Sequence, residues 1–303
     1  MDCERFRRFK NFASLQAKIG LPEGVFIDKL TMTYTERVYQ TVDFINSQFN
    51  YEPEFGIILG TGLGALVNDI EIEKELEYAD IPNFPVSTVE SHSGKLIFGK
   101  LSGRKVIAMQ GRFHYYEGYD MRAVTFPVRV MKKLGIQKLF VSNAAGGVNL
   151  NYRVADLMII EDHIDLTKEN PLTGANLDDF GGRFPDMSEP YERKMIDEAL
   201  AIAQANGISC HEGVYAGVSG PNLETRAEYR FIGRIGGDAV GMSTIPEVIV
   251  ARHMDLPVFA ISAITDLCDP DNLEKAEISK ILQAAFKAEK GMTIIIKELI
   301  AQQ

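Results

Sequence analysis

The ten residues from Gln110 to Tyr119 read Gln-Gly-Arg-Phe-His-Tyr-Tyr-Glu-Gly-Tyr and follow directly on the apolar run Val106-Ile107-Ala108-Met109. A buried strand needs no such sequel. Gly111 breaks the run, and on an extended segment Arg112 and His114 point to the same side. A guanidinium offers a planar fork of donors that matches phosphate or carboxylate, and an imidazole can donate beside it without adding a second permanent charge. Anion binding is the chemistry this pair suggests. Taken alone, a surface arginine next to a core histidine explains the stretch equally well.

The same pattern, an apolar run and then small and polar residues, recurs along the chain. Phe55–Leu59 leads into Gly60-Thr61-Gly62-Leu63-Gly64-Ala65, where glycines allow a tight turn that aims amides and the Thr61 hydroxyl at a ligand. Lys138–Ser142 leads into Asn143-Ala144-Ala145-Gly146-Gly147, Asp238–Gly241 into Met242 and Ser243, and residues 213–218 into a segment holding Leu223 and Glu224. Pro257–Thr265 ends at Asp266. Thr61, Arg112, His114, Ser243 and the amide of Ala144 are donors, whereas Glu224 and Asp266 are acceptors. A donor-rich pole suits phosphate, and an acceptor-rich pole suits the ring N–H groups of a heterocycle. Tyr116, Leu223 and Met242 would wall a space of sugar size between them. His92, in the loop Ser91-His-Ser-Gly94, is free to serve the same ligand, although a histidine with such neighbours more often faces solvent.

The elements that must position these groups follow from periodicity. Val38, Val42, Ile45 and Phe49 keep helical spacing, with Thr35 read as the cap. Leu96–Phe98 and Val106–Met109 read as neighbouring strands joined at Ser102-Gly103. A helix over 125–134 has Pro127 early and stops at Gly135. Further strands are expected at 156–161, 213–218, 238–244 and 257–266. Helices are expected over 190–206, capped by Ser188, and over 273–299. In an open α/β sheet the ligand crevice lies off the carboxyl ends of the strands, where Thr61, Arg112, Asn143, Glu224, Ser243 and Asp266 all fall. The expected fold is α/β, a single domain with a mixed central β-sheet flanked by helices.

With 303 residues and 46% hydrophobic content the chain can bury a large core. Lys and Arg total 32 against 42 Asp and Glu, so the long-range field repels polyanions, and neither a nucleic acid nor an anionic membrane is an expected partner. Three scattered cysteines, Cys3, Cys210 and Cys268, make neither a disulfide framework nor a zinc site, which suits a reducing cytoplasm. No apolar run approaches a membrane span. Residues 1–31, where basic and phenylalanine residues alternate, are expected to be a poorly ordered extension preceding a domain over 32–303, or a start misassigned ahead of Met32. Asp2 and Glu4 argue against a mitochondrial presequence.

Competing motifs fare poorly. Gly60–Ala65 satisfies Gly-x-Gly-x-x-Ala with Asp80 at a ribose-like distance, yet residues 66–80 are largely charged where a second apolar strand should lie. No Lys-Ser or Lys-Thr follows the glycines as a phosphate-binding P-loop requires. No spacing suggests a metal, and His163 with Asp165 reads as a structural pair. No cofactor is expected.

Six segments carry a more specific signal: Gly60-Thr-Gly-Leu-Gly64, Ile81-Pro-Asn-Phe-Pro85, Gly111–Tyr119, Ser142-Asn-Ala-Ala-Gly-Gly147, Gly220-Pro-Asn-Leu-Glu-Thr225 and Ala239-Val-Gly-Met-Ser-Thr244. In this order they closely resemble the trimeric class of purine nucleoside phosphorylases, over residue 35 to the C-terminus. The resemblance implies a phosphorylase-type fold, a homotrimer and a small-molecule reaction in purine salvage. Orthophosphate attacks C1′ of a purine nucleoside, chiefly inosine or guanosine, releasing the base and α-ribose 1-phosphate. By the same resemblance Thr61, Arg112, His114, Ala144 and Ser243 hold phosphate with His92 close by. Glu224 accepts from N1–H and a 2-amino group, and Tyr116 and Met242 meet the ribose. Phe180 is expected to reach over a neighbouring subunit's sugar.

Two positions depart from that pattern. Asp266 stands where 6-oxopurine-specific members carry Asn, as it does in methylthioadenosine phosphorylases, and Ile278 replaces a histidine that meets the 5′-hydroxyl. Both favour 6-amino or 5′-modified nucleosides as an alternative, while Glu224 favours N1–H. A turnover-deficient nucleoside-binding module and a nicotinamide enzyme built on Gly60–Ala65 also stay open at this point, and phosphate dependence separates them.

Overall fold

The computed structural model describes residues 32–60, 64–86 and 94–303, so the expectation for residues 1–31 lies outside it. The sheet and the site lie within the compact unit Val38–Gln303.

Helix α1 (Tyr34–Gln48) buries Val38, Val42 and Ile45, the stripe its spacing foretells. Its cap is Thr33 rather than Thr35. The Glu36 amide donates to Thr33 Oγ1 at 3.2 Å and the Thr33 amide to Glu36 Oε2 at 2.6 Å, a reciprocal capping box. Strand β1 (Phe55–Leu59) is buried throughout. Residues 71–77, whose charges spoke against a strand, form β2 (Glu71–Glu77). Among the described residues it is an edge strand paired only with β3 (Lys95–Leu101), and charge is what keeps an exposed edge from recruiting other chains. β3 turns at Ser102-Gly103, both at positive φ, into β4 (Arg104–Gln110).

After β4 come the short helix α2 (Met121–Val124), α3 (Phe126–Leu134), and β5 (Lys138–Gly147). Then follow β6 (Leu157–Asp165), α4 (Arg193–Ala205), β7 (Cys210–Gly217) and α5 (Arg226–Arg234). The chain ends with β8 (Ala239–Gly241), α6 (Ile245–His253), β9 (Val258–Leu267) and α7 (Ile278–Gln302). Glu192, not Ser188, stands at the start of α4. Asn143–Gly147, expected to follow a strand, is strand itself, because β9 pairs with β5 from Leu139 to Gly147.

The nine strands form one mixed sheet in the order β2-β3-β4-β1-β5-β8-β7-β6-β9, and β9 returns to pair with β5. The sheet is therefore not open, since the second half closes into a ring on β5. That strand changes partner on its other edge. Phe55–Ile58 of β1 pair with Lys138–Val141, whereas Val240 and Ala239 of β8 pair with Gly146 and Gly147. Residues 142–145 lie at the change, with no ladder partner on that edge among the described residues. The carboxyl ends of β1 and β4 reach this gap from one direction and those of β7 and β8 from the opposite one, because β8 runs antiparallel to β5. A crevice forms where strands stop pairing, for the reason that governs switch points in open sheets.

Candidate active site

A cavity of about 370 Å³ occupies this gap. Gly60, Arg112, Ala144, Glu224, Ser243 and Asp266, from six separate segments, share its wall. Along β5 burial alternates: Ala144 and Gly146 are half-buried while Asn143, Ala145 and Gly147 are buried, so one face of the strand is left to a ligand. Gly60 is fixed by crowding. A Cβ there would lie 2.7 Å from the carbonyl oxygen of Ser142 and 2.8 Å from Cα of Asn143.

At one end of the wall stands Arg112, 1% exposed. Its Nη1 donates to Ser243 Oγ at 2.9 Å and to Thr244 Oγ1 at 3.4 Å, and its Nε lies 3.4 Å from Glu247 Oε1. Asn143 Nδ2 also donates to Thr244 Oγ1, at 2.9 Å. Thr244 holds φ +74°, a left-handed conformation that costs a β-branched residue about 1–3 kcal/mol and aims its hydroxyl at both partners.

His114 donates its backbone amide to Glu117 Oε1 at 2.8 Å, and its Nδ1 lies 2.9 Å from the same oxygen. A carboxylate there fixes Nδ1 as the protonated nitrogen. Tyr116 stacks on the imidazole, centroids 4.7 Å apart.

The other end carries Glu224 and Asp266. Burial raises the Glu224 carboxyl above its ordinary range, with Asp266 and Glu228 adding to the rise and Tyr229 opposing it. Asp266 Oδ1 accepts from Thr265 Oγ1 at 2.8 Å, and Oδ2 lies 3.6 Å from Cys268 Sγ. Burial pushes the Cys268 thiol well up, so it stays protonated as a weak donor. Leu223, Met242 and Ile278 complete the wall, with Ile278 at the start of α7.

Thr61 and His92 lie outside the described residues. Phe180 is not brought to the cavity. Its ring is 6% exposed and packs under Arg129 at 4.8 Å and Lys133 at 4.9 Å, both on α3. His163 and Asp165 are not a pair either. His163 Nδ1 meets Tyr191 OH at 3.0 Å, and Asp165 takes the amide and hydroxyl of Thr167. Sequence reading missed Tyr229, Cys268, Thr244 and Glu247; the only local signal was Thr225-x-x-Glu228, a capping box that starts α5 and with it places Tyr229. Among the described residues no group of His, Cys, Asp or Glu could hold a metal, and no helix is long and apolar enough to cross a membrane.

The chain belongs to the phosphorylase superfamily, whose family model matches residues 54–301. Within it the likeness is to purine nucleoside phosphorylases. The chain is similar to purine nucleoside phosphorylase 1 of Bacillus subtilis (strain 168), with 49% identity over 267 residues, 88% of this chain and 98% of that relative. To the purine nucleoside phosphorylase of Bos taurus it is 46% identical over 276 residues, 88% of this chain and 96% of the other. Its fold matches the crystal structure of Schistosoma mansoni purine nucleoside phosphorylase in complex with adenosine at a TM-score of 0.85 and 42% identity, covering 89% of this chain and 99% of that one.

Proposed function

We infer that the chain is a pentosyltransferase that cleaves purine nucleosides, mainly inosine and guanosine, reversibly with orthophosphate, giving the free base and α-ribose 1-phosphate. The observation that carries this reading is that Arg112 and Glu224 line one cavity, a cationic donor and a carboxylate in reach of a single ligand. Its volume, about 370 Å³, lies in the range of small-molecule sites.

Arg112, His114, Ser243 and the amide of Ala144 hold phosphate, joined by Thr61 and His92. Cleavage builds positive charge on the ribosyl ring and negative charge on the departing purine. Phosphate held beside C1′ answers the first. Glu224, accepting from N1–H and a 2-amino group, grips the base, and Asp266 meets its N7 and 6-substituent edge, where charge gathers. Tyr116, Leu223, Met242 and Ile278 enclose the nucleoside. Phosphate is itself the nucleophile, so neither a cofactor nor a metal enters this scheme. The catalytic domain is taken as residues 32–303. The resemblance to the trimeric class and the cysteine usage support a homotrimer in the cytoplasm, and sedimentation of the full chain tests the assembly.

Release of hypoxanthine from inosine, with and without phosphate, tests the reading. Phosphate-dependent release is expected, with guanosine cleaved comparably; cleavage of methylthioadenosine alone would refute the base assignment.

A further inference from the structure

A second cavity of about 540 Å³ adjoins the base-recognition end of the first. Leu223, Glu224, Tyr229, Thr265, Asp266 and Ile281 line both. The two carboxylates that face the base therefore also border a further space, closed on its far side by the segment between β9 and α7 and by Val154. Apolar surface gathers around it: Val154, Leu223 and Leu267 are 48%, 50% and 38% exposed. Exposed apolar side chains so grouped mark a surface suited to apolar ligand groups.

We propose that this chamber is a subsite for substituents on the exocyclic nitrogens of the base, so that nucleosides of N2- or N6-alkyl and aryl aminopurines are substrates. The proposal rests on the function inferred above, which turns the base edge toward Glu224 and Asp266. A singly substituted amine keeps one N–H, enough for one carboxylate oxygen, and its substituent projects outward from the edge, past the carboxylates. The wall selects the substituent. Leu223, Leu267, Leu273 and Ile281 favour an apolar group, while Asp269, Glu274 and Glu277 at the same wall, with Lys280 held 2.8 Å from Glu277, disfavour an anionic one.

The test compares phosphorolysis of guanosine, N2-benzylguanosine and N6-benzyladenosine by the full chain and by Ala276→Trp and Val154→Trp. Both altered residues are exposed and border only the second cavity. At least one benzylated nucleoside should be cleaved with a KM close to that of guanosine. Each tryptophan should raise that KM about tenfold or more, the discrimination a filled apolar pocket gives, and leave guanosine unchanged. Guanosine cleavage with neither cleavage nor inhibition by the benzylated nucleosides overturns the proposal, as does an equal effect of the tryptophans on all substrates. If guanosine itself is not cleaved, the inferred activity falls. Calorimetric binding of N2-benzylguanine against guanine, in parent and plugged chains, then decides the subsite alone.

Discussion

Arg112 and Glu247, 135 positions apart in the chain, face each other inside the protein, Nε to Oε1 3.4 Å, with side chains 2% and 3% exposed. Glu247 sits in the first turn of α6, just after the strained Thr244, so the counter-charge follows within one turn the two hydroxyls, of Ser243 and Thr244, that aim the guanidinium. Removing one partner of a buried pair costs about 3–5 kcal/mol, because the other charge stays in low dielectric without its balance. Glu247→Ala should lose about that much in urea unfolding, while Arg112→Lys, which keeps charge but not the fork, should raise the phosphate KM about tenfold or more and spare the nucleoside KM. An unchanged phosphate KM in Arg112→Lys would remove Arg112 from the anion site.

Glu117 holds His114 twice, through the backbone amide and through Nδ1. Replacing it with Ala removes both contacts that orient the imidazole. We expect a phosphate KM raised about tenfold, the effect of one weakened charged hydrogen bond. The nucleoside KM is the control, and a rise confined to it would show that His114 serves the sugar instead.

The raised pKa of Glu224 gives opposite pH signs for binding and for stability. Accepting from N1–H needs the carboxylate, so kcat/KM for guanosine should decline as pH falls through the raised value, before an ordinary glutamate would protonate. For stability, a folded pKa above the unfolded one means the native chain binds the proton more tightly, so this group's contribution is full at low pH and is lost as pH rises across the same window. A pH–rate profile of the parent and of Glu224→Gln checks this. The acid limb should disappear in the variant along with most of the activity on guanosine, and an identical limb in both would assign the titration elsewhere.

The gap at β5 is narrow where Gly60 crosses it. In Gly60→Ala the new methyl meets backbone of Ser142 and Asn143, which cannot rotate away as a side chain could. The strands must part, at roughly 1–3 kcal/mol for overpacking. A lower urea midpoint together with a higher phosphate KM is expected. Stability equal to the parent would mean that β1 and β5 slide freely there.

Glu289 ties Ala65 to α7. The Ala65 amide donates to its Oε1 at 2.5 Å, and burial raises the carboxyl. Glu289→Ala leaves that amide without its acceptor, a loss of about 1–3 kcal/mol, whereas Glu289→Gln keeps an oxygen in place and should cost much less. Equal losses in the two variants would show that the amide contributes little.

Much of this protein was legible from its order of residues. Strand ends announce themselves through apolar runs that stop at glycines and polar groups, so Arg112, Ala144, Glu224, Ser243 and Asp266 could be picked out one by one, and the helix over 126–134 by its Pro and Gly. These are local signals, set by backbone period and turn chemistry. What only the tertiary structure decided depends on pairs distant in sequence. Glu247 came to Arg112 and Thr244 to Asn143, neither marked by its neighbours. A charged run became an edge strand because a partner waited in β3. The closing of the sheet on β5 belongs to the same class: pairing energy between β9 and β5 is shared across more than a hundred residues of chain, and no local stretch records it.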